Sequence, residues 1–173
     1  MVDITHDPRW GRVIETFGED PYLAGILAAA AVNGFQSTNP NPRECLRSCV
    51  KHFAGYGYAE GGRDYDCSEI SKYTLFNMVL PPFKAAVDAG VNSLMSSFQV
   101  TNGTPSSSSE FLLREVLRKK WHFDGVVVSD YNSTEQVEFH GAAQDEFDAA
   151  AKAFQAGINV EMVANLLNKY GKK

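Results

Sequence analysis

Long apolar stretches are missing from this 173-residue sequence, and none of its runs reaches the roughly 18 residues that a membrane-spanning helix needs. Positive charge is also scarce, with 16 Lys and Arg against 21 Asp and Glu and a net charge of -5. A nucleic acid or a membrane is therefore not expected as a partner, because both favour basic surfaces. Residues 1–4 have neither a basic start nor an apolar core, so no signal peptide is predicted and the localisation stays open.

Cysteine is scarce as well, with Cys45, Cys49 and Cys67 as its three positions. An odd number without regular spacing does not indicate a disulfide framework. Cys45 and Cys49 have the spacing of half a metal site, but structural zinc needs four ligands. The four histidines are scattered along the chain, at His6, His52, His122 and His140. No metal site is predicted.

Several motifs of other enzyme classes are absent. No GxGxxG follows a strand, the glycine-rich turn at residues 55–57 is not followed by GK[ST], and Ser129 lacks the flanking glycines of a nucleophile elbow. These absences argue against dinucleotide, P-loop and serine-hydrolase chemistry.

Short apolar runs alternate with helical patterns along the chain. The apolar runs predict strands at residues 1–5, 48–53, 92–98, 126–129 and 158–163. Helical spacing predicts helices at residues 23–32, 70–89, 109–121 and 145–155. Polar, turn-rich segments predict loops at residues 38–42 and 102–109.

Local signals sharpen the helix boundaries. Asp20 should cap the first helix with Pro21 at its first position, and Ser109 should cap the third. Pro81 and Pro82 should kink or split the second helix.

The alternation of strands and helices predicts an α/β fold with a parallel sheet and crossover helices. Two arrangements stay open, an open doubly wound sheet and a (β/α)8 barrel. A complete barrel has eight strands and about 250 residues. With about five predicted strands, this chain would form a partial (β/α)8, TIM-like barrel.

Polar residues gather where the predicted strands end, which is where parallel α/β folds bind ligands. They are His6, Asp7, Arg9 and Arg12, then Lys51 and His52, then Ser97 and Gln99 with the aromatic Phe98 between them, and finally Ser129, Asp130 and Tyr131. Glu161 lies within the fifth strand. The residues alone also allow plainer interpretations. Asp130 could be a helix cap, Lys51–His52 could be a surface charge and a structural imidazole, and Arg12 could pair with Glu15 or Glu19.

Longer motifs resemble glycoside hydrolase family 3, the β-glucosidases and related β-xylosidases, and in particular the bacterial periplasmic β-glucosidase type. They are DPRWGR at 7–12, ETFGEDPY at 15–22, VKHFAGYG at 50–57, EGGRDY at 60–65, NGTP at 102–105, LLREVLR at 112–118 and GVVVSD at 125–130. The resemblance covers roughly residues 1–163, and the tail at 164–173 departs from the family pattern. It implies that residues 1–173 form a single partial barrel domain.

The resemblance also implies roles. Family members hydrolyse terminal β-linked sugars with retention, and the strand-end Asp of the SD segment is the nucleophile, here Asp130. Lys51, His52 and Arg12 match residues that bind sugar hydroxyls in subsite −1, and Arg63 is the best match for a further arginine.

Two further expectations concern the chemistry of this site. Many members carry Tyr where this chain has Phe98, so a hydroxyl-dependent role at that position is lost or is taken by another residue. A nearby lysine and arginine should keep the pKa of Asp130 low. No metal or organic cofactor is needed, and the partner is a small-molecule or oligosaccharide β-glycoside.

Retention also requires a carboxylic acid about 5–5.5 Å from the nucleophile, and the resemblance implies that a second domain supplies it. Glu60, Glu135 and Glu161 are candidates by proximity only. The chain alone is therefore expected to be weakly active or inactive. Open strand edges would favour a complementing chain or an oligomer. The alternatives are an inactive sugar-binding module, a fragment that is active only with a partner chain, and a different enzyme on an open sheet. Related full-length enzymes are periplasmic or secreted.

Overall fold

The computed structural model describes residues 1–36 and 46–171, so the predicted loop at 38–42 and Cys45 lie outside the described residues. The strands are β1 (Cys49–Phe53), β2 (Ser93–Ser96), β3 (Val100–Thr101), β4 (Thr104–Pro105), β5 (Val126–Tyr131) and β6 (Val160–Met162). The helices are α1 (Pro21–Phe35), α2 (Lys72–Thr74), π1 (Leu75–Val79), α3 (Pro81–Asp88), π2 (Phe111–Lys120), α4 (Gln136–Phe139), α5 (Glu146–Ala156) and α6 (Leu166–Tyr170). Single 3-10 turns lie at Val13–Glu15, Tyr56–Tyr58, Glu60–Gly62 and Ser106–Ser108.

A four-stranded parallel sheet in the order β1-β2-β5-β6 forms the centre of the fold. Leu94 in β2 pairs with Val50 on one side and with Val127 on the other, and Val128 pairs with Val160. Neighbouring strands follow chain order without the reversal that defines a doubly wound sheet. The predicted partial (β/α)8-type arrangement is therefore confirmed.

The strand predicted at residues 1–5 is wrong, so the parallel sheet of the described residues has four strands rather than about five. Val2 N–H donates to the carbonyl of Lys51 at 2.9 Å, which places the segment beside β1. Farther along, Thr5 N–H donates to Gly18 and not to β1. The segment thus lies along the sheet without joining its ladder.

The loop predicted at residues 102–109 also contains regular structure. β3 and β4 pair antiparallel, with Thr101 opposite Thr104, around the turn at Asn102 and Gly103. A two-residue turn containing glycine is typical of such hairpins.

The predicted helix caps are confirmed. Asp20 Oδ1 accepts hydrogen bonds from the N–H groups of Tyr22 and Leu23 at 2.8 and 3.0 Å, and Pro21 is the first residue of α1. Ser109 Oγ accepts from Leu112 N–H at 3.3 Å.

The second predicted helix is divided as expected, because α3 starts anew at Pro81, which has no N–H to donate. The third, π2, differs from the prediction in its winding. At its end, Trp121 N–H bonds the carbonyl of Val116 at 3.0 Å, five residues back.

The core lies between the parallel sheet and the helices that connect its strands. Phe53 packs edge-to-face against Phe83 at 5.3 Å and against Trp121 at 5.7 Å between ring centroids. The apolar face of π2 is buried as predicted, with Leu112, Leu113, Val116 and Leu117. Each such side chain contributes about 1.5–3 kcal/mol on burial. Among the residues described, none of the helices has the length and apolarity to cross a membrane.

Candidate active site

The carboxyl ends of two strands bring two of the predicted site residues together. β1 carries His52 near its end and β5 carries Asp130 near its end, with β2 between the two strands. The Nε2 atom of His52 lies 3.6 Å from Oδ2 of Asp130. Lys51 precedes His52 on the same strand. His52 and Asp130 are thus 78 positions apart in the chain and still adjacent, because parallel strands end at the same edge of the sheet.

The Asp130 carboxylate is buried, with 7% of the residue exposed, and its two oxygens differ. Oδ1 accepts a hydrogen bond from the N–H of Tyr131 at 2.6 Å. Oδ2 has no hydrogen-bond partner within residues 1–36 and 46–171. The helix-cap interpretation is wrong, because α4 begins only at Gln136 and a cap would bond the second or third helical N–H.

The pKa of Asp130 is raised above its ordinary value, chiefly because burial penalises the charged form. His52, the Tyr131 N–H, Lys51 and Arg12 all act in the opposite direction. The expectation that Lys51 and Arg12 would keep this pKa low is therefore wrong in its net sign, although both charges act in the expected direction.

The two arginines of the predicted site are held by nearby carboxylates. Arg12 donates from Nε and Nη2 to Glu15 at 2.6 and 2.7 Å, and its guanidinium lies 5.4 Å from the centre of the Tyr56 ring. The plainer interpretation of Arg12, a pair with Glu15, thus describes the observed contact. Arg63 is 73% exposed in its side chain and pairs with Asp66 at 2.6 Å. In the described part of the chain, no contact joins Arg63 to Asp130.

An aromatic wall flanks the pair of His52 and Asp130. Phe98 is buried, stacks on Tyr65 at 4.1 Å and meets Tyr56 edge-on at 4.7 Å. Tyr56 also packs edge-on against the His52 ring at 5.1 Å. Burial raises the pKa of Tyr56, so its hydroxyl stays protonated and donates to Asp64. Phe98 thus packs inside this wall and, lacking a hydroxyl, makes no side-chain hydrogen bond.

Beyond Tyr65, this wall continues into an open hollow of about 390 Å³. The hollow is lined by Tyr65, Asn132, Glu135, Gln136, Phe139 and His140. Its far side is formed by the segment that follows Asp130. The hollow therefore shares one wall with the candidate site.

The glutamates considered for acid catalysis have local partners or lie on the surface. Glu161 accepts from Thr134 Oγ1 at 2.5 Å with one oxygen and from Leu167 N–H at 2.6 Å with the other. Glu135 accepts from an Asn132 amide at 2.5 Å, and Glu60 is exposed. None of these contacts reaches Asp130.

Asp3 is part of this cluster, and the sequence analysis missed it. Its Oδ2 accepts from the backbone N–H of His52 at 2.8 Å and lies 3.1 Å from the ring atom Nδ1. The signal that could have found it is an acid placed between two apolar residues, Val2 and Ile4, in a segment predicted to be a strand. Taking residues 1–5 only as a strand hid that signal.

The described residues contain no cluster of potential metal ligands. Across residues 1–36 and 46–171, no group of three or more His, Cys, Asp or Glu side chains could hold a metal ion. Cys49 and Cys67 are free thiols. The proposed half-site partner of Cys49 is Cys45, which the structure does not describe.

Comparison with known proteins identifies the family. The sequence profile of the Glycosyl hydrolase family 3 N terminal domain matches residues 1–170. The chain belongs to this glycoside hydrolase family, and its fold corresponds to the TIM-like barrel domain of its structural neighbours.

Individual relatives agree with this assignment. A periplasmic beta-glucosidase of Salmonella typhimurium is 42% identical over 170 residues, which is 98% of this chain and 22% of that protein. A beta-xylosidase of Formosa agariphila is 37% identical over 161 residues, which is 91% of this chain and 22% of that protein. The crystal structure of a beta-glucosidase from Listeria innocua in complex with glucose matches with a TM-score of 0.96 and 40% identity, over 99% of this chain and 24% of that one. The chain thus spans about a quarter or less of the length of these relatives.

Proposed function

We propose that this chain carries the nucleophile half of a retaining β-glycosidase site, with Asp130 as the nucleophile. The observation that carries the proposal is the buried, unpartnered Oδ2 of Asp130 at the end of β5, 3.6 Å from His52 Nε2. The names of the relatives include beta-glucosidase and beta-xylosidase, which supports a terminal β-linked sugar as substrate. Glucose is the first candidate, since a bound glucose is recorded for the Listeria innocua relative.

The reaction runs in two steps on Asp130. In the first, Oδ2 forms a bond to the anomeric carbon while the bond from that carbon to the leaving oxygen breaks. In the second, water attacks the same carbon, gives its proton to the group that acted as the acid, and releases the carboxylate. Tyr131 N–H holds Oδ1 at 2.6 Å, so the other oxygen is the one available for attack.

The leaving oxygen must also receive a proton, and we assign that acid to no residue of this chain. Both oxygens of Glu161 are engaged locally, and Glu135 bonds Asn132. We propose that the acid lies outside these 173 residues, in a further domain. General acid catalysis contributes about 10²- to 10⁴-fold, so the chain alone should be weakly active or inactive.

The sugar-binding roles fall to charged donors around Asp130. Lys51 and His52 stand on β1 next to the nucleophile, and their hydrogen bonds to hydroxyls can strengthen as positive charge develops on the sugar. Arg12 and Arg63 would join through the N–H groups that their bonds to Glu15 and Asp66 leave free. The hollow beyond Tyr65 provides room for the leaving group.

Two further proposals concern the extent of the domain and the role of Phe98. We propose that residues 1–173 are one partial barrel domain, which the family profile matches as far as residue 170. Phe98 is assigned to the sugar-binding site as a support for Tyr56 and Tyr65, which enclose its ring, and it brings no hydroxyl.

Covalent trapping tests the nucleophile directly. A 2-fluoro β-glucoside with a good leaving group should add one sugar to the 173-residue chain, and peptide mass spectrometry should find it on Asp130, because such a reagent needs little acid assistance. Asp130→Asn should take no label, whereas the surface variant Asp88→Asn should be labelled as the wild type is. A label on another residue, equally present in Asp130→Asn, would refute the assignment.

A sugar-binding module without turnover is the second candidate, and the absence of an assigned acid favours it. Titration calorimetry with glucose should show binding that Lys51→Ala weakens, even where hydrolysis of an aryl β-glucoside is undetectable. Hydrolysis that rivals a full-length family enzyme would contradict both the second candidate and the half-site proposal.

A further inference from the structure

Asp3 is a buried carboxylate. Its neighbours Val2 and Ile4 are buried, and Asp3 itself is only 2% exposed. Oδ1 has no hydrogen-bond partner among the described residues. Burying a carboxylate oxygen without a partner is unfavourable. Packing alone does not explain an acid at this position, whereas its contact with His52 does.

The contact fixes both the backbone and the ring of His52. The same oxygen of Asp3, Oδ2, accepts from His52 N–H at 2.8 Å and lies 3.1 Å from Nδ1. A carboxylate accepts hydrogen bonds and cannot donate them, so Nδ1 must carry the proton. Tyr56 packs edge-on at 5.1 Å and Phe98 lies 6.5 Å away, which further fixes the ring plane.

With the proton on Nδ1, the neutral ring presents a lone pair at Nε2. Nε2 lies 3.6 Å from Asp130 Oδ2, longer than a normal hydrogen bond. The opposite tautomer would place an N–H at Nε2, where it could bond Oδ2 and occupy the oxygen that must attack. The tautomer of His52 therefore decides whether that oxygen is free.

We propose that Asp3 is a positioning residue for the active site. It holds the Nδ1–H tautomer of His52, so that Nε2 accepts a hydrogen bond from a sugar hydroxyl and leaves Asp130 Oδ2 unoccupied. The proposal about the ring rests on Asp3 and His52 alone. Its consequence for catalysis rests on the proposed function of Asp130.

The ring can be observed without any activity. In long-range proton–nitrogen spectra of the ¹⁵N-labelled chain, recorded where the imidazole is neutral, His52 should show a pyrrole-type Nδ1 and a pyridine-type Nε2. The His52→Gln variant identifies the signals among the four histidines. The reverse pattern in the wild type would overturn the proposal, whatever the variants do.

Two substitutions separate orientation from charge. Asp3→Asn keeps an acceptor oxygen and should keep the tautomer, whereas Asp3→Ala should give a mixture of tautomers. In Asp3→Ala the rate of trapping of Asp130 by the 2-fluoro glycoside should fall by up to about 100-fold, the effect of a misplaced group. Asp20→Ala, which loses the cap of α1 and hence some stability, is the matched control and should trap at the wild-type rate.

The outcomes distinguish this proposal from the proposed function. If the wild type is not labelled at Asp130, the nucleophile assignment fails, while the ring pattern still decides the role of Asp3. If labelling is normal and the tautomer and the trapping rate are unchanged in both Asp3 variants, Asp3 has no positioning role. If Asp3→Ala does not fold, the wild-type spectrum and Asp3→Asn decide.

Discussion

Replacing Asp130 with Asn should make the protein more stable at neutral pH while it ends covalent labelling. The carboxylate is buried and Oδ2 has no partner within the described residues. A buried acceptor without a partner costs about 1–3 kcal/mol. Asn is nearly isosteric, keeps the bond from Tyr131 N–H and carries no charge. Allowing for the lost attraction to the charges of Lys51 and Arg12, we expect a gain of about 1 kcal/mol, the lower end of that range.

The gain should depend on pH with a definite sign. Burial raises the pKa of Asp130 above its ordinary 3.8, so in the folded state it binds a proton at pH values where the unfolded chain has lost it. Wild-type stability therefore falls as pH rises from the unfolded pKa through the folded pKa, and is level above it. The difference between Asp130→Asn and the wild type should be small below the unfolded pKa, grow through this window and then stay constant.

Urea denaturation measured at several pH values tests this prediction, and thermal melting should show a rise of about 2–4 °C for 1 kcal/mol. Asp88→Asn is the control, because Asp88 forms an exposed pair with Lys84 and such pairs contribute little. A loss of stability in Asp130→Asn at pH 7 would refute the reasoning. It would show that His52 and the nearby cations stabilise the Asp130 carboxylate by more than burial costs.

Three further substitutions and one change of conditions give clear outcomes. Gly57→Ala would place a methyl group 2.1 Å from the carbonyl oxygen of Ile4, and the free energy of unfolding measured in urea should fall by about 1–3 kcal/mol. Gly34→Ala is the control in α1, where the added methyl group would meet no neighbouring atom within 4 Å, and the free energy of unfolding should rise by up to about 1 kcal/mol. Lys51→Met should weaken glucose binding about 10- to 100-fold in calorimetry, as expected for a lost charged hydrogen bond, and unchanged affinity would exclude Lys51 from the site. The rate of trapping by the 2-fluoro glycoside should rise with pH through the raised pKa of Asp130, because only the ionised carboxylate attacks, and a rate already at its maximum at pH 4 would contradict that pKa direction.

Features that depend on neighbours in the chain could be predicted from the sequence. Asp20 and Ser109 cap their helices because the N–H groups they bond lie two or three residues away. Pro81 starts α3 because proline has no N–H. The meeting of His52 and Asp130 could also be predicted, since both stand at the ends of parallel strands.

Features that depend on distant contacts could not. Asp3 lies 49 residues from His52, and its role appears only when the segment at residues 1–5 is placed beside β1. The sign of the pKa shift of Asp130 depends on the balance between burial and nearby charges, which residue types alone do not determine. The π winding of Phe111–Lys120 escaped prediction because its four buried side chains also fit the apolar face of an α-helix.

The arrangement of the candidate site across β1 and β5, with β2 between them, links ligand binding to the folding equilibrium. Asp3, His52 and Asp130 come together only when all three strands are paired. An unfolded chain therefore has no binding site, and any ligand of this site must shift the melting temperature upward. At a free concentration of 100 times Kd the stabilisation is about 2.7 kcal/mol. Measuring the melting temperature with each of several simple sugars would thus rank those sugars by affinity, even if the chain never completes a catalytic cycle.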